Sequence, residues 1–485
     1  MKEAKLLMLF LIITLTTSAQ NPAEIDLNFD IGTGLDGGTA YTRAKSFALQ
    51  PDGKILVGGD FNSYNGNTKY KLIRLNTDGS IDQSFDIGNG FTNTEVVYKV
   101  ILQSNGKILV GGDFTSYQGN TAYNNLVRLN TDGSLDTSFN SGGIGFQQEP
   151  RTNIRTILIQ PDDKILIGGS LSSYNNIPPK EIIRLNSDGS IDTDFVGGNF
   201  SFGTSQRATI HTIALQADNK IIAGGNFTSL LGSTQNRLIR LKSNGLKDGS
   251  FNIGTGFNGR VFATAIQLDG KVLVGGLYST YNGDVTKYLV RLNTDGSKDV
   301  NFDIGLGFQE NNPVNAIKLQ TDGKILVGGN FQSYNGNTQN GLIRLNSDGS
   351  KDTTFDIGLG FSVSFSSSGV DVITIQENKK ILVGGAFGSY NNIVQNHIVR
   401  LYGDSVLSTD NFFIDETMVI YPNPALNFIH INGFELSTDK VTILNINGQI
   451  VKSLMIQDKK INVSDLKTGL YFVKIKNLLG KFLKK

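Results

Sequence analysis

Apolar positions in this chain come in short runs, each bounded by glycine, asparagine, aspartate or serine. One cycle of the pattern shows its grammar: Val96 to Gln103, Lys107 to Gly112, Asn125 to Asn130 and Leu135 to Asn140 are strand-like, and turn residues separate them. Four strands of about five or six residues plus tight turns fill such a cycle and leave no room for a helix. The cycle recurs seven times, and every copy contains a segment like KILVGGDF that ends in a glycine pair. The pairs are Gly58-Gly59, Gly111-Gly112, Gly168-Gly169, Gly224-Gly225, Gly275-Gly276, Gly328-Gly329 and Gly384-Gly385, 51 to 57 residues apart. Repeats on a scale of roughly 20 to 50 residues mark solenoids, propellers or arrays. Each unit is expected to be one four-stranded antiparallel sheet.

The ends of the array decide between a line and a ring. A linear solenoid needs atypical polar caps. Here the array begins with a fourth strand lacking the other three, Asp26 to Ile31 (DLNFDI), which matches DQSFDI from Asp82 and DTTFDI from Asp352. It ends at Arg400-Leu401, a third strand with no fourth. The orphan at the start is the piece missing at the end, and closure would remove exposed sheet edges. The expected fold is all-β: a seven-bladed β-propeller over residues 26–403, closed by its N-terminal strand. Arginine recurs in every third strand (Arg74, Arg128, Arg184, Arg240, Arg291, Arg344, Arg400) and aspartate opens every fourth (Asp26, Asp82, Asp136, Asp192, Asp248, Asp299, Asp352). Seven identical copies are poor material for one active site, so these are read as structural pairs. The ring requires Arg400 to find Asp26 where Arg74 finds Asp82.

Composition narrows the function. Glycine, at 57 of 485 residues, is well above the usual share of about 7%, as close-packed turns require. Lysine plus arginine number 44 against 43 acidic residues, a balance without the electrostatic footprint of a nucleic-acid or anionic-membrane binder. The chain has no cysteine, which excludes disulfides, thiolate metal sites and cysteine nucleophiles. At the N-terminus Lys2 and Lys5 precede an apolar run from Leu6 to Leu15 and then the small residues Ser18 and Ala19. That is the pattern of a secretory signal peptide over residues 1–19, too short for a membrane span of about 20 residues. No further apolar stretch suggests a transmembrane segment in the mature chain.

After Leu401 the repeat stops. A polar linker is expected over residues 404–416 and a second, small Ig-like β-sandwich over 417–485, with alternating runs at Lys440 to Ile446, Gln449 to Leu454 and Leu470 to Lys476. The tail motifs YPNPALNFIHI from Tyr421, VTILNINGQIVKS from Val441 and INVSDLKTGLYFVKI from Ile461 resemble the C-terminal sorting domain of the Bacteroidetes type IX secretion system. The alternative for this tail is an ordinary Ig-like accessory module. The resemblance implies a partner, the type IX machinery, engaged through residues 417–485, and a secreted or cell-surface product of a Gram-negative cell. The repeats, through LIRLNTDGSIDQSFDIGNGF and KILVGGDF, resemble the delta-60 repeat family, a name that brings no biochemical activity.

Function must therefore be argued from the faces of the propeller. One face carries short, nearly invariant QxDGK and LNxDGS turns, whose Asp-Gly steps suit tight hairpins. The other carries turns such as Ser63-Tyr64-Asn65-Gly66 and connections that differ between units, among them Gly143 to Ile154, Gly198 to Ile210 and Gly256 to Val261. Variable loops on a rigid scaffold are where specificity usually resides. In the innermost strands one equivalent position holds Lys45, Tyr98, Arg155, His211, Phe262, Asn315 and Asp371. A position that varies while its neighbours repeat is not dictated by blade packing alone. Arg43, Lys45, Arg155, Arg207, His211, Arg260, Glu310 and Asp371 are thus the candidates for a carbohydrate or protein site at the channel mouth. Solvated channel residues with no ligand are the alternative. No cofactor or metal is expected, and no catalytic residue is assigned. A propeller glycan hydrolase or lyase using Asp371, Glu310, Arg155 or His211 is the competing function.

Other motifs fail on context. Gly32 to Gly37 and Gly254 to Gly259 both read GxGxxG, but each lies between strands with no helix N-terminus to hold a pyrophosphate. Asn76 to Asp82 hints at a calcium loop, yet its glycine comes fourth and no late glutamate follows. The recurrent Tyr64, Tyr117, Tyr174, Tyr281, Tyr334 and Tyr390 could be stacking platforms for sugars or rim residues packed over blade ends; their repetition, and Leu230 in the seventh place, favour packing.

Overall fold

The seven KILVGG segments are the middle strands of seven three-stranded antiparallel sheets in a computed structural model of the chain. It describes residues 21–485 apart from 39–40, 93, 148, 150–151, 179, 203–205, 309–311, 363–368, 405–418, 433–438, 446–449, 457–459 and 476–477. The signal peptide expected over residues 1–19 lies outside the described residues, as does nearly all of the linker. Residues 21–404 make one compact unit and the described residues from 419 onward belong to another.

In the first repeat Ile55–Asp60 runs between Arg43–Leu49 and Leu72–Leu75. Its Ile55, Leu56 and Val57 are all fully buried, because a neighbouring sheet covers each face. Side chains alternate across a strand, so Ile55 and Val57 join the cluster of the first repeat while Leu56 joins Val97 and Val100 of the second. The first glycine of each pair permits that approach. A Cβ on Gly58 would lie 2.6 Å from Val97 Cγ1 and 2.7 Å from Val100 Cγ2. The seventh repeat meets the first in the same manner: a Cβ on Gly384 would lie 2.6 Å from Phe47 Cζ, and Leu382 packs with Ala44 and Phe47.

The expected fourth strand is not a strand. It is reduced to one bridge, Leu75↔Ile81 in the first repeat and Leu129↔Leu135 in the second, after which the chain turns. The cause is the recurrent aspartate. Asp82 accepts hydrogen bonds from Ser84 N (2.9 Å) and Ser84 Oγ (2.7 Å), and Phe85 N donates back to the Asp82 carbonyl (3.3 Å). These local bonds outcompete a ladder. The turn delivers Phe85 beneath the Arg74 guanidinium, 4.7 Å from the ring centroid.

All seven Arg–Asp pairs form, at 2.6 to 2.7 Å from Nε to Oδ2. Each arginine also donates through Nη1 to a backbone carbonyl of another repeat, as Arg240 does to Thr294 O at 2.6 Å. Arg400 pairs with Asp26 at 2.6 Å and reaches Thr77 O of the first repeat at 2.6 Å. Residues 21–31 sit on the seventh repeat as later copies sit on theirs: Asp26 N donates to Arg400 O (2.8 Å) and Asp30 N to Asp78 O (2.8 Å).

Burial alone would raise these carboxyls, but the hydrogen bonds and cations around them prevail. Ser84, Lys54 and Arg74 hold Asp82 well below its usual range, Ser250 and Arg240 hold Asp248 at about 2, and Asp26, Asp136, Asp192, Asp299 and Asp352 are lowered likewise. A carboxyl whose folded value lies below its unfolded value of about 3.9 stabilises the fold above that value, and loses the contribution as pH falls toward the folded value. The urea midpoint is therefore expected to be flat from pH 7 to about 5 and to fall steeply below about pH 4. Asp248→Asn should flatten that fall, and a midpoint unchanged down to about pH 3 would contradict the assignment.

The recurrent tyrosines resolve in favour of packing. Tyr64 is 1% exposed, and its hydroxyl donates to Gly79 O at 2.6 Å; Tyr174 repeats the bond to Gly189 O. Beside Tyr64 the Asn65-Gly66 step, both at positive φ (46° and 73°), closes a small hairpin of Ser63–Tyr64 against Asn67–Thr68.

The C-terminal unit is a β-sandwich-like pair of sheets. Val419–Tyr421, Phe428–Asn432 and Lys460–Asn462 form one, and Asp439–Asn445, Ile450–Ile456, Gly469–Ile475 and Leu478–Lys484 the other. Their core holds Ile429, Ile431, Val441, Ile443, Val473 and Phe482. Among the described residues no helix is long and apolar enough to cross a membrane.

Candidate functional site

The innermost strand of every repeat carries a β-bulge, and in every repeat the bulged residue is the one at the variable position. Pairing slips between Ala44 and Ser46, Val97 and Lys99, Ile154 and Thr156, Ile210 and Thr212, Val261 and Ala263, Val314 and Ala316, and Val370 and Val372. The residues passed over are Lys45, Tyr98, Arg155, His211, Phe262, Asn315 and Asp371. A bulged residue has no partner opposite, and its side chain is re-aimed out of the sheet's regular face. That explains why the position is free to vary.

The second glycine of each pair makes the bulge possible. Gly59 lies across from Ala44, and a Cβ there would fall 2.2 Å from the Arg43 carbonyl oxygen. The same collision recurs at 2.0 to 2.2 Å for Gly112, Gly169, Gly225, Gly276, Gly329 and Gly385.

Bulge residues of neighbouring repeats touch. Asp371 Oδ2 lies 3.2 Å from Lys45 Nζ and 3.6 Å from Arg43 Nη1. Its Oδ1 accepts from Asn315 Nδ2 at 3.4 Å, and Asn315 also donates to Asn330 Oδ1 at 3.0 Å. The Arg155 guanidinium stacks over Tyr98, 3.9 Å from the ring centroid, and its Nε donates to Asn153 Oδ1 at 2.8 Å. His211 meets Phe262 edge to face at 5.2 Å.

Electrostatics divide the bulge residues into two groups. Around Asp371 the charges are paired, although burial still pulls the Lys45 amine down against the carboxylate's support. Around His211 no ion pair forms among the described residues, and the Asp113 carboxylate acts on Arg155 only electrostatically. Burial, with Arg155 and Arg260 adding to it, pushes His211 down to about 3, so the ring is neutral at physiological pH. Its Nε2 is buried with no hydrogen-bond partner among the described residues. Arg260, the first residue of Arg260–Ile266, is exposed.

Of the eight candidates, Arg43, Lys45 and Asp371 form one group, while Arg155 and Arg260 act on His211. Arg207 falls in the short strand Gln206–Arg207, and Glu310 lies outside the described residues. Two further cations were missed. Lys99 and Lys318 are both pulled down by burial, and Lys318 lowers Lys99 further by charge repulsion. The signal was available: Lys99 stands where other copies have Ser46, Thr156, Thr212, Ala263, Ala316 and Val372, and Lys318 where they have Ala48, Ile101 or Leu158.

Residues 50–85, 103–139, 160–195, 216–251, 267–302, 320–355 and 376–407 match the family described as a domain of unknown function (DUF5122) beta-propeller. Residues 419–485 match the secretion system C-terminal sorting domain. No curated protein matches the chain. Among solved structures it is similar to PorZ, an essential surface component of the type IX secretion system of Porphyromonas gingivalis, at 12% identity over 90% of this chain and 59% of that one, with a TM-score of 0.44. The extracellular domain of a putative one-component system from B. thetaiotaomicron is similar at 15% identity over 94% and 52%, TM-score 0.43. Virginiamycin B lyase from Staphylococcus aureus is similar at 13% identity over 76% and 96%, TM-score 0.42. The chain spans between half and three fifths of the length of the first two.

Proposed function

The chain belongs to the DUF5122 β-propeller family and ends in a type IX secretion sorting domain, and from that premise we propose an exported binding or scaffold module that takes a carbohydrate or protein ligand at the bulge residues. In this reading residues 1–19 direct export, 26–403 form a seven-bladed propeller closed by the N-terminal segment, 404–416 link it, and 417–485 engage the secretion machinery. Closure is supported by the Arg400–Asp26 pair and by the bond from Arg400 to Thr77. The site comprises Arg43, Lys45, Arg155, Arg207, His211, Arg260, Glu310 and Asp371.

One observation carries the reading: seven bulges present seven different residue types at one level of a repetitive scaffold. Bulges gather next to functional sites because they re-aim side chains. A hydrolase or lyase at this face has less support. Asp371 would have to move a proton, yet it is engaged by Lys45, Arg43 and Asn315.

A glycan array with the mature chain, run beside a polysaccharide-degradation assay, separates the two. Saturable binding without turnover is the expected result. Product formation that Asp371→Ala abolishes would favour the enzyme, and silence in both assays would leave a structural surface component.

A further inference from the structure

Resting on that proposed site, we infer that its ligand is an acidic saccharide, whose carboxylate or sulfate group is received between Arg155 and Arg260 across His211. The charges at the mouth do not balance. Among the seven bulge residues the one carboxylate is Asp371, and it is already shared by Lys45 and Arg43. Arg155 and Arg260 make no ion pair among the described residues, although the Asp113 carboxylate feels the charge of Arg155. Lys99, the residue after bulged Tyr98, and Lys318, three residues beyond bulged Asn315, make none either, and they repel each other. Lys99 and Lys318 are desolvated cations, a cost that a ligand's anion would lower, while half-buried Arg155 and exposed Arg260 stand open to receive one. An anion held by two guanidinium groups gains charge-assisted hydrogen bonds of the stronger kind.

The other groups distinguish a sugar from a bare anion. His211 is a neutral ring with an unpartnered, buried Nε2, a position suited to exchanging a hydrogen bond with a hydroxyl group. Phe262, half-buried beside it, offers an apolar surface to the CH face of a pyranose. Charge, hydroxyl and apolar face occur together in uronates and sulfated sugars. Acidic peptide side chains offer the charge without a neighbouring hydroxyl.

The test is calorimetric titration of the full mature chain with an oligogalacturonate, a sulfated galactan oligomer, a neutral galactan oligomer of equal length and poly-glutamate. One of the acidic saccharides is expected to bind at least about tenfold more tightly than the neutral one. Arg155→Gln and Arg260→Gln should each weaken it by about tenfold or more, the latter with an unchanged melting temperature. Arg260 is exposed, so its loss cannot act through unfolding of a core. Preference between the two acidic saccharides identifies the group as carboxylate or sulfate. Equal affinity for the neutral oligomer overturns the anionic ligand and leaves the binding site standing. Equal affinity for poly-glutamate overturns the saccharide, and so does failure of both acidic saccharides to bind. Acidic-saccharide binding that survives Arg155→Gln, Arg260→Gln and Asp371→Asn overturns the site as well.

Discussion

Replacing Gly112 by alanine is expected to destabilise the 21–404 unit by about 2 to 4 kcal/mol, although it adds a single methyl group. Gly112 does not have a positive φ, so the effect does not come from backbone preference. It comes from space. The new Cβ would lie 2.2 Å from the carbonyl oxygen of Val96 and 3.1 Å from Val97 Cα, and both are backbone atoms of the strand that carries the Tyr98 bulge. No rotamer relieves that contact. Either the two strands separate or the bulge is lost, and with it the stacking of Arg155 on Tyr98. Gly249→Ala is the control, since a Cβ there meets nothing within 4 Å, and it should change stability by no more than about 0.5 kcal/mol. Urea unfolding of the two variants side by side measures the difference. Equal midpoints would mean that the bulges do not depend on the second glycine.

The second large effect is expected at the seam. Asp26 is fully buried and receives Arg400 Nε at 2.6 Å, Lys380 Nζ at 2.9 Å and the Tyr402 hydroxyl at 2.9 Å. Asp26→Ala leaves the Arg400 guanidinium, 5% exposed, without its carboxylate, a loss of about 3 to 5 kcal/mol for a buried pair broken on one side. Removing residues 21–31 goes further. It withdraws the bonds from Ala23 N to Tyr402 O and from Tyr390 Oη to Ala23 O, and it bares the strand Ile398–Leu401 along one edge. Exposed edges pair with other chains. The truncated protein should self-associate in size-exclusion chromatography with light scattering, and melt earlier. A monomer with an unchanged melting temperature would sink the closed ring.

Much of this was legible in the chain because a repeat states its own packing rules seven times over. Leu56, Gly58, Arg74 and Asp82 answer to neighbours that recur, so their types recur. The variable position could be located for the same reason, by its refusal to repeat. Its cause could not, because a bulge is a relation between two strands, and Lys45 alone does not disclose that Ala44 and Ser46 face adjacent glycines. The fourth strand was overread. DQSFDI has the apolar spacing of a strand, but the bonds from Ser84 to Asp82 decide the backbone first. Lys99 and Lys318 escaped notice because each departs from its column in one copy only, and the columns differ. Their common fate shows only when the strands are brought together.

The pairing of a fixed glycine with a free bulge makes the scaffold rewritable. An amine, a phenol, a guanidinium, an imidazole, a phenyl ring, an amide and a carboxylate all occupy the same backbone position in one molecule, and the hydrogen-bonded ladder on either side is the same beneath each. Side-chain chemistry at this position can therefore drift one codon at a time with little toll on the ladder. A designer has seven addresses at which to change the side chain and keep the frame, coupled in pairs where neighbours touch.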